Sequence, residues 1–274
     1  MNKLKENVSK NFAKSKKAPL LLKMLFGRKA MATDPSPVVS KIYYGLKHYS
    51  IDNDVQKVHS KVMNTVRDLK VDGAEILSAK GIEFNTKKLL ESSTQGKYGM
   101  LLTMIAKHFA PKNTIELGTC AGFSSMYILG GLEAVKELDY SFLSIEGSKS
   151  LVDLAQKNLH KFGANDRRYK LVNDYFENAL PKLLHDNMVV DFVFVDGDHT
   201  YDATLKYFNW LIGNMGSDGI MMFDDIRWSH GMFKAWKTIC THKGIGISVD
   251  LGRMGLCVVK HDQTTLPKHF SFYV

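Results

Sequence analysis

The chain has 274 residues, 45% of them hydrophobic and 24% charged, which suits one α/β domain with an appendage at roughly 100–200 residues per domain. Its net charge of +9 is concentrated in an arm, because residues 1–30 hold nine Lys or Arg against Glu6 alone. The remainder is nearly neutral, which argues against a dispersed nucleic-acid-binding face. Three cysteines (Cys120, Cys240, Cys257) without metal-type spacing argue against a disulfide framework and for a reducing, cytoplasmic setting.

Leu4, Val8 and Phe12 recur at steps of four among lysines, so residues 3–17 are predicted to form a basic amphipathic helix. Pro19 opens a second apolar run, Leu20 to Phe26, far short of the roughly 20 residues that cross a bilayer. With Ala30-Met31-Ala32 behind it the run imitates a secretory signal, but Lys23 interrupts it and Arg28-Lys29 precedes the would-be cleavage site. Residues 3–26 are expected instead to touch an anionic membrane surface, to cover a greasy acceptor or to pack as an arm. Asp34-Pro35-Ser36-Pro37 reads as a linker. The expected organisation is an arm and linker over 1–50, then a domain over 51–274 with a helical cap (51–110) and an α/β core (111–260).

In the cap, Val55, Val58, Val62, Val66 and Leu69 give Asp52 to Leu69 a helical period, and Asp72-Gly73 ends it. Ser92 to Lys97 is a polar loop, with Gly96 a candidate cofactor contact, and it leads into a helix from Tyr98 to Phe109 closed by Pro111. From Thr114 strands (114–117, 141–146, 169–173, 190–195, 219–224) alternate with helices (123–135, 149–162, 176–184, 201–212, 230–242). Such alternation predicts a mostly parallel sheet with helices on both faces. Ile245 to Leu251 and Met254 to Lys260 are separated only by Gly252-Arg253, which forces an antiparallel hairpin.

Ile115-Glu116-Leu117-Gly118-Thr119-Cys120-Ala121-Gly122-Phe123-Ser124 joins the first of these strands to its helix. Glu116, Gly118, Thr119, Cys120, Gly122 and Ser124 are candidate cofactor contacts, the glycines because they would let a ligand reach the backbone. A dinucleotide fingerprint needs Gly-x-Gly-x-x-Gly, whereas position 120 is Cys and position 123 is Phe. The looser acid-x-Gly-x-x-x-Gly form suits a ligand without phosphate and resembles the first motif of class I S-adenosylmethionine (SAM) methyltransferases. Ligands of open α/β sheets bind beyond the carboxyl ends of the strands. Glu146 ends the second strand, where it could accept both hydroxyls of a ribose. Asp174 and Tyr175 follow the third, where they could reach and stack on an adenine, although Asp174 would serve equally as a helix cap.

Val189 to Val195 is a buried strand that ends in Asp196-Gly197-Asp198-His199, and Gly219 to Phe223 ends in Asp224-Asp225. Over roughly residues 90–260 the chain resembles the class I family that includes the cation-dependent catechol-type O-methyltransferases. The resemblance implies a sheet order 3-2-1-4-5-7-6 with the last strand antiparallel, SAM as cofactor, and Asp196 contacting both cofactor and chemistry. It also implies a divalent cation such as Mg²⁺ held by Asp196, Asp224 and Asp225, where the family has Asn at the last place. Three converging carboxylates would need such a counter-charge. The family's catalytic lysine falls at His199, whose unperturbed pKa near 6.5 suits a base. The expected activity is methyl transfer to an oxygen of a small or lipid-like acceptor. The competing readings are a non-catalytic SAM-fold protein docked through its basic arm, and a dinucleotide oxidoreductase, which the glycine spacing and terminal hairpin disfavour.

Overall fold

A computed structural model describes residues 18–69, 77–79, 82–184, 188–261, 267–272 and 274. The amphipathic helix expected over residues 3–17 lies outside them. Before the core come α1 (Ala18–Thr33), α2 (Pro37–His48), α3 (Asn53–Arg67), the small strands β1 (Leu77–Ala79) and β2 (Ile82–Phe84), α4 (Thr86–Glu91) and α5 (Gly96–Phe109). The core alternates β3 (Asn113–Leu117), α6 (Phe123–Glu133), β4 (Ser141–Glu146), α7 (Lys149–Phe162), β5 (Tyr169–Asn173), α8 (Phe176–Leu184), β6 (Val190–Val195), α9 (Tyr201–Ile212), β7 (Met215–Phe223) and α10 (His230–Cys240). It closes with β8 (Ile245–Asp250), β9 (Gly255–Val259) and β10 (Lys268–Ser271).

Several helices begin or end at polar caps or left-handed glycines. Ser148 caps α7 by accepting from the Leu151 amide, and Gly163 (φ +76°) terminates it in the left-handed region. Asp52 accepts from the amides of Asp54 and Val55 to open α3, and the same carboxylate pairs with Lys107 of α5 at 2.9 Å. That pair ties the start of α3 to the last turn of α5.

The main sheet runs β10-β8-β9-β7-β6-β3-β4-β5, with β9 antiparallel to both neighbours and all other pairings parallel. Counted from β3, its first seven strands have the order 3-2-1-4-5-7-6, as expected. Helices cover both faces, so Ile115, Leu117, Phe192, Val193 and Phe194 are buried, and β6 reads as an apolar run rather than an alternating one. The eighth strand is an addition. Residues 268–271, left unassigned from sequence, pair in parallel with β8, and Ser248 Oγ lies 2.7 Å from His269 Nδ1.

β10 gives α1 its place. Met31 is buried, the Arg28 guanidinium sits 4.6 Å from the centre of the Phe272 ring, and Lys268 pairs with Asp34 at 2.8 Å. The segment that imitates a signal peptide is therefore helix packed on the C-terminal strand. Among the described residues no helix is long and apolar enough to cross a membrane.

Candidate active site

The carboxyl ends of β3, β4, β6 and β7 lie side by side, and main-chain hydrogen bonds continue the ladder one residue past them. The Asp196 amide donates to Leu117 O at 2.8 Å, and the Asp224 amide donates to Val195 O at 2.9 Å. The two acids are thereby held at the same level, one strand apart. Gly118 (φ +101°) is required here because a Cβ would stand 2.0 Å from Asp196 O. Its space belongs to the neighbouring strand, so any side chain at this position would push on the Asp196 backbone. A Cβ on Gly122 (φ +82°) would press on Ala155 of α7 at 3.3 Å. Gly122 does not line the cavity beside the turn.

That cavity has a volume of about 530 Å³. Gly118, Thr119, Cys120 and Ser124 line it from the turn, Glu146 from β4, Tyr175 beyond β5, and Asp196 with His199 beyond β6. Glu146 is 9% exposed. Its Oε2 accepts from the Cys120 amide and its Oε1 from the Ser148 amide, both at 3.0 Å. Two amides thus fix the carboxylate while each oxygen keeps a lone pair for a ligand. The Tyr175 ring is 57% exposed and stands against Gly147, a free aromatic face at the rim. Cys120 (φ +46°), Asp198 (φ +51°) and Asp225 (φ +49°) all adopt left-handed backbone, a concentration of strain that marks a working edge. Burial, and Glu146 beside it, push the Cys120 thiol up to about 12.

Besides Gly122, three of the expected cofactor contacts do not line the cavity. Gly96 (φ +59°) opens α5 and does not line the cavity. Asp174 accepts from the Tyr175 amide at 2.8 Å and from Asn178 at 3.0 Å, and faces Lys182 at 3.4 Å. Its partners are the next residue and two side chains of α8, so it neither lines the cavity nor caps an amide of that helix. Glu116 is fully buried beneath the turn, where Ser125 and Ser144 donate to Oε2, while Oε1 has no partner. Burial raises its pKa to about 7, and the hydroxyls of Ser124, Ser125 and Ser144 only partly offset this.

His199 Nε2 lies 3.7 Å from Asp196 Oδ1 and 3.9 Å from Asp225 Oδ2. Its ring is partly exposed to the cavity, with Trp228 centred 6.5 Å away. Asp196 titrates well above the usual carboxylate range because it is buried and faces Asp224. Asp225 is raised for the same reasons. The expected metal set therefore converges, but its counter-charge is a side chain. Arg253 Nε donates to Asp224 Oδ1 at 2.8 Å and its other arm to Asp224 Oδ2, and Nε lies 3.1 Å from Asp225 Oδ1.

Asp224 is wholly buried. Its Oδ1 also accepts from the Asp225 amide at 2.8 Å, and its Oδ2 from Thr94 Oγ1 at 3.0 Å. A carboxylate offers about four lone-pair sites, and these four bonds use them all. A cation does not fit this donor set, and among the described residues no group of three or more His, Cys, Asp or Glu has the geometry to hold one. Sequence reasoning missed Arg253 because it saw only the turn of a hairpin. It likewise missed Thr94, whose hydroxyl stands 3.3 Å from Asp196 Oδ2 and bridges the two acids.

This sheet order, with its site at the carboxyl edge, is the class I SAM-dependent methyltransferase fold. Residues 115–226 match the family described as a methyltransferase domain. The chain is 30% identical over 146 residues to a caffeoyl-CoA O-methyltransferase of Medicago sativa, covering 50% of this chain and 54% of that one. It is 27% identical over 122 residues to a catechol O-methyltransferase of Niastella koreensis, covering 44% and 51%. The matches span between about half and two thirds of these curated relatives' length. An O-methyltransferase of Bacillus cereus, solved with S-adenosylhomocysteine, superposes with a TM-score of 0.53 at 16% identity, covering 75% of this chain and 100% of that one. The resemblance read from the sequence is thus borne out at the level of fold and domain.

Proposed function

We infer that the chain binds SAM and methylates an oxygen of a small or lipid-like acceptor. The observation that carries this reading is the charge of the cavity. Glu146, Glu177 and Asp198 line it, and no Lys or Arg does so among the described residues. A pyrophosphate would be repelled there, whereas a ligand carrying ammonium and sulfonium charges is attracted. The names of the relatives, all O-methyltransferases, support the same reaction class.

When bound, SAM supplies an electrophilic methyl group on a sulfonium centre. Glu146, fixed by two amides, holds ribose hydroxyls, and the Tyr175 ring offers its face to the adenine. The backbone from Gly118 to Cys120 and the Asp196 carboxyl flank the methionine part. His199 Nε2, facing the same cavity, takes the proton of the acceptor hydroxyl, and Asp196 and Asp225 steady the imidazolium that results. Alignment and a base are sufficient for such a displacement.

Calorimetry of the full-length chain with SAM and with NAD tests the cofactor: SAM should bind and NAD should not, and the reverse result removes the reading. The charge of residues 1–30 further supports contact of the arm with anionic lipid, at about 1 kcal/mol per lysine near the surface. Anionic-liposome flotation of the whole chain should exceed that of a chain beginning at Ala18, which keeps α1. Equal flotation of the two would make the arm structural.

A further inference from the structure

We propose that Arg253 supplies the counter-charge that the resemblance assigns to a divalent cation, so that this protein carries that charge covalently and has no cation site at the carboxylate cluster. The proposal rests on the O-methyl-transfer reading above. It follows from three observations. The turn between β8 and β9 returns to the sheet edge, where the Arg253 amide is 3.3 Å from the Tyr98 hydroxyl, so the side chain leaves from an anchored backbone. Its guanidinium then takes both oxygens of Asp224 and reaches Asp225, and with Thr94 and the Asp225 amide it fills the lone pairs that a cation would need. Asp224 is 0% exposed on the side-chain scale while Arg253 is 33% exposed, so the guanidinium is both the seal of the cluster and its outward face.

The outward face has a place to act. Arg253 lines a second cavity with Thr86, Lys87, Leu90, Ser93 and Gln95, and Ser93 also lines the cavity assigned to the cofactor. A guanidinium has five N–H donors, and the bonds to Asp224 use two of them. The remaining donors are available to hold an acceptor oxygen at that second cavity. A cation would do this by direct ligation, whereas Arg253 does it by hydrogen bonds from a charge that no chelator removes. Lysine would not substitute, because it cannot fork both oxygens of Asp224 in one plane.

Mn²⁺ alone, titrated into the full-length protein and followed by electron paramagnetic resonance and by thermal melting, tests the proposal without any acceptor. The wild type should leave Mn²⁺ free up to about 1 mM, the weak end of protein cation sites, and its melting temperature should not move. Arg253→Ala exposes the buried Asp224 charge, so it should melt lower than the wild type, bind Mn²⁺ and recover part of the loss when Mn²⁺ is added. Arg253→Gln serves in its place if the alanine variant does not fold. Asp224→Asn added to either variant should abolish the binding.

Mn²⁺ binding by the wild type that disappears in Asp224→Asn would overturn the proposal, whatever the variants do. So would an Arg253 variant that keeps SAM affinity yet ignores Mn²⁺. Failure of the wild type to bind SAM would instead remove the cofactor assignment and leave the Mn²⁺ titration fully readable.

Discussion

Glu116→Gln should make the protein's stability less dependent on pH, and the size of the effect can be worked from the surroundings of this one carboxyl. Glu116 lies under the turn at the end of β3, fully buried, with Oε1 unpartnered and Oε2 receiving the hydroxyls of Ser125 and Ser144. Its pKa rises from 4.5 to about 7, chiefly because burial penalises the charged form. Between those two values the folded chain retains a proton that the unfolded chain has released. Its contribution is therefore complete below 4.5 and is lost as pH rises towards 7.

The separation of 4.5 and about 7 corresponds to about 3 kcal/mol at full loss. Glutamine is neutral throughout and nearly the same shape. Urea unfolding of both proteins at pH 5 and pH 8 measures the difference, and groups common to the two chains largely cancel. Relative to wild type, Glu116→Gln should gain about 2.5 kcal/mol between pH 5 and pH 8, since part of the loss has already occurred at pH 5. Parallel pH profiles for the two proteins would refute a neutral, buried Glu116.

His199→Ala should lower turnover by about 10²–10⁴-fold, the usual contribution of a positioned base, while calorimetric SAM affinity stays near wild type. A loss of SAM affinity instead would make His199 a cofactor contact. Glu146→Gln should weaken SAM by about 10-fold or more, the worth of a hydrogen bond to a charged acceptor, and unchanged affinity would move the ribose elsewhere. Gly118→Ala combines a φ of +101° with a Cβ 2.0 Å from Asp196 O, so it should destabilise the cofactor-free protein by about 2–5 kcal/mol in urea. An unmoved unfolding midpoint would mean that the turn is free to relax.

The local reading reached far in this chain because helix and strand periods, caps and turn lengths are properties of neighbours in sequence. The strand Val190 to Val195 and the helix Lys149 to Phe162 begin and end where their apolar runs and polar caps dictate. The two-residue gap at Gly252-Arg253 could only be a hairpin. The rule that ligands sit at strand carboxyl ends brought Glu146, Asp196, His199, Asp224 and Asp225 together before any coordinates.

What pairs with what belongs to the tertiary structure alone. Glu116 is next to the cofactor turn in sequence yet points beneath it, because strand residues alternate in direction and its neighbours on that face are serines. Asp174 is taken up by the Tyr175 amide and the Asn178 and Lys182 side chains and does not line the cavity. β10 exists only because β8 presents an open edge, too remote in sequence for any pattern to register. The charge that neutralises Asp224 comes from 29 residues downstream. A single arginine in a turn carries no local signature of its target, and only the folding of β8 and β9 back onto the sheet edge brings it to the carboxylates.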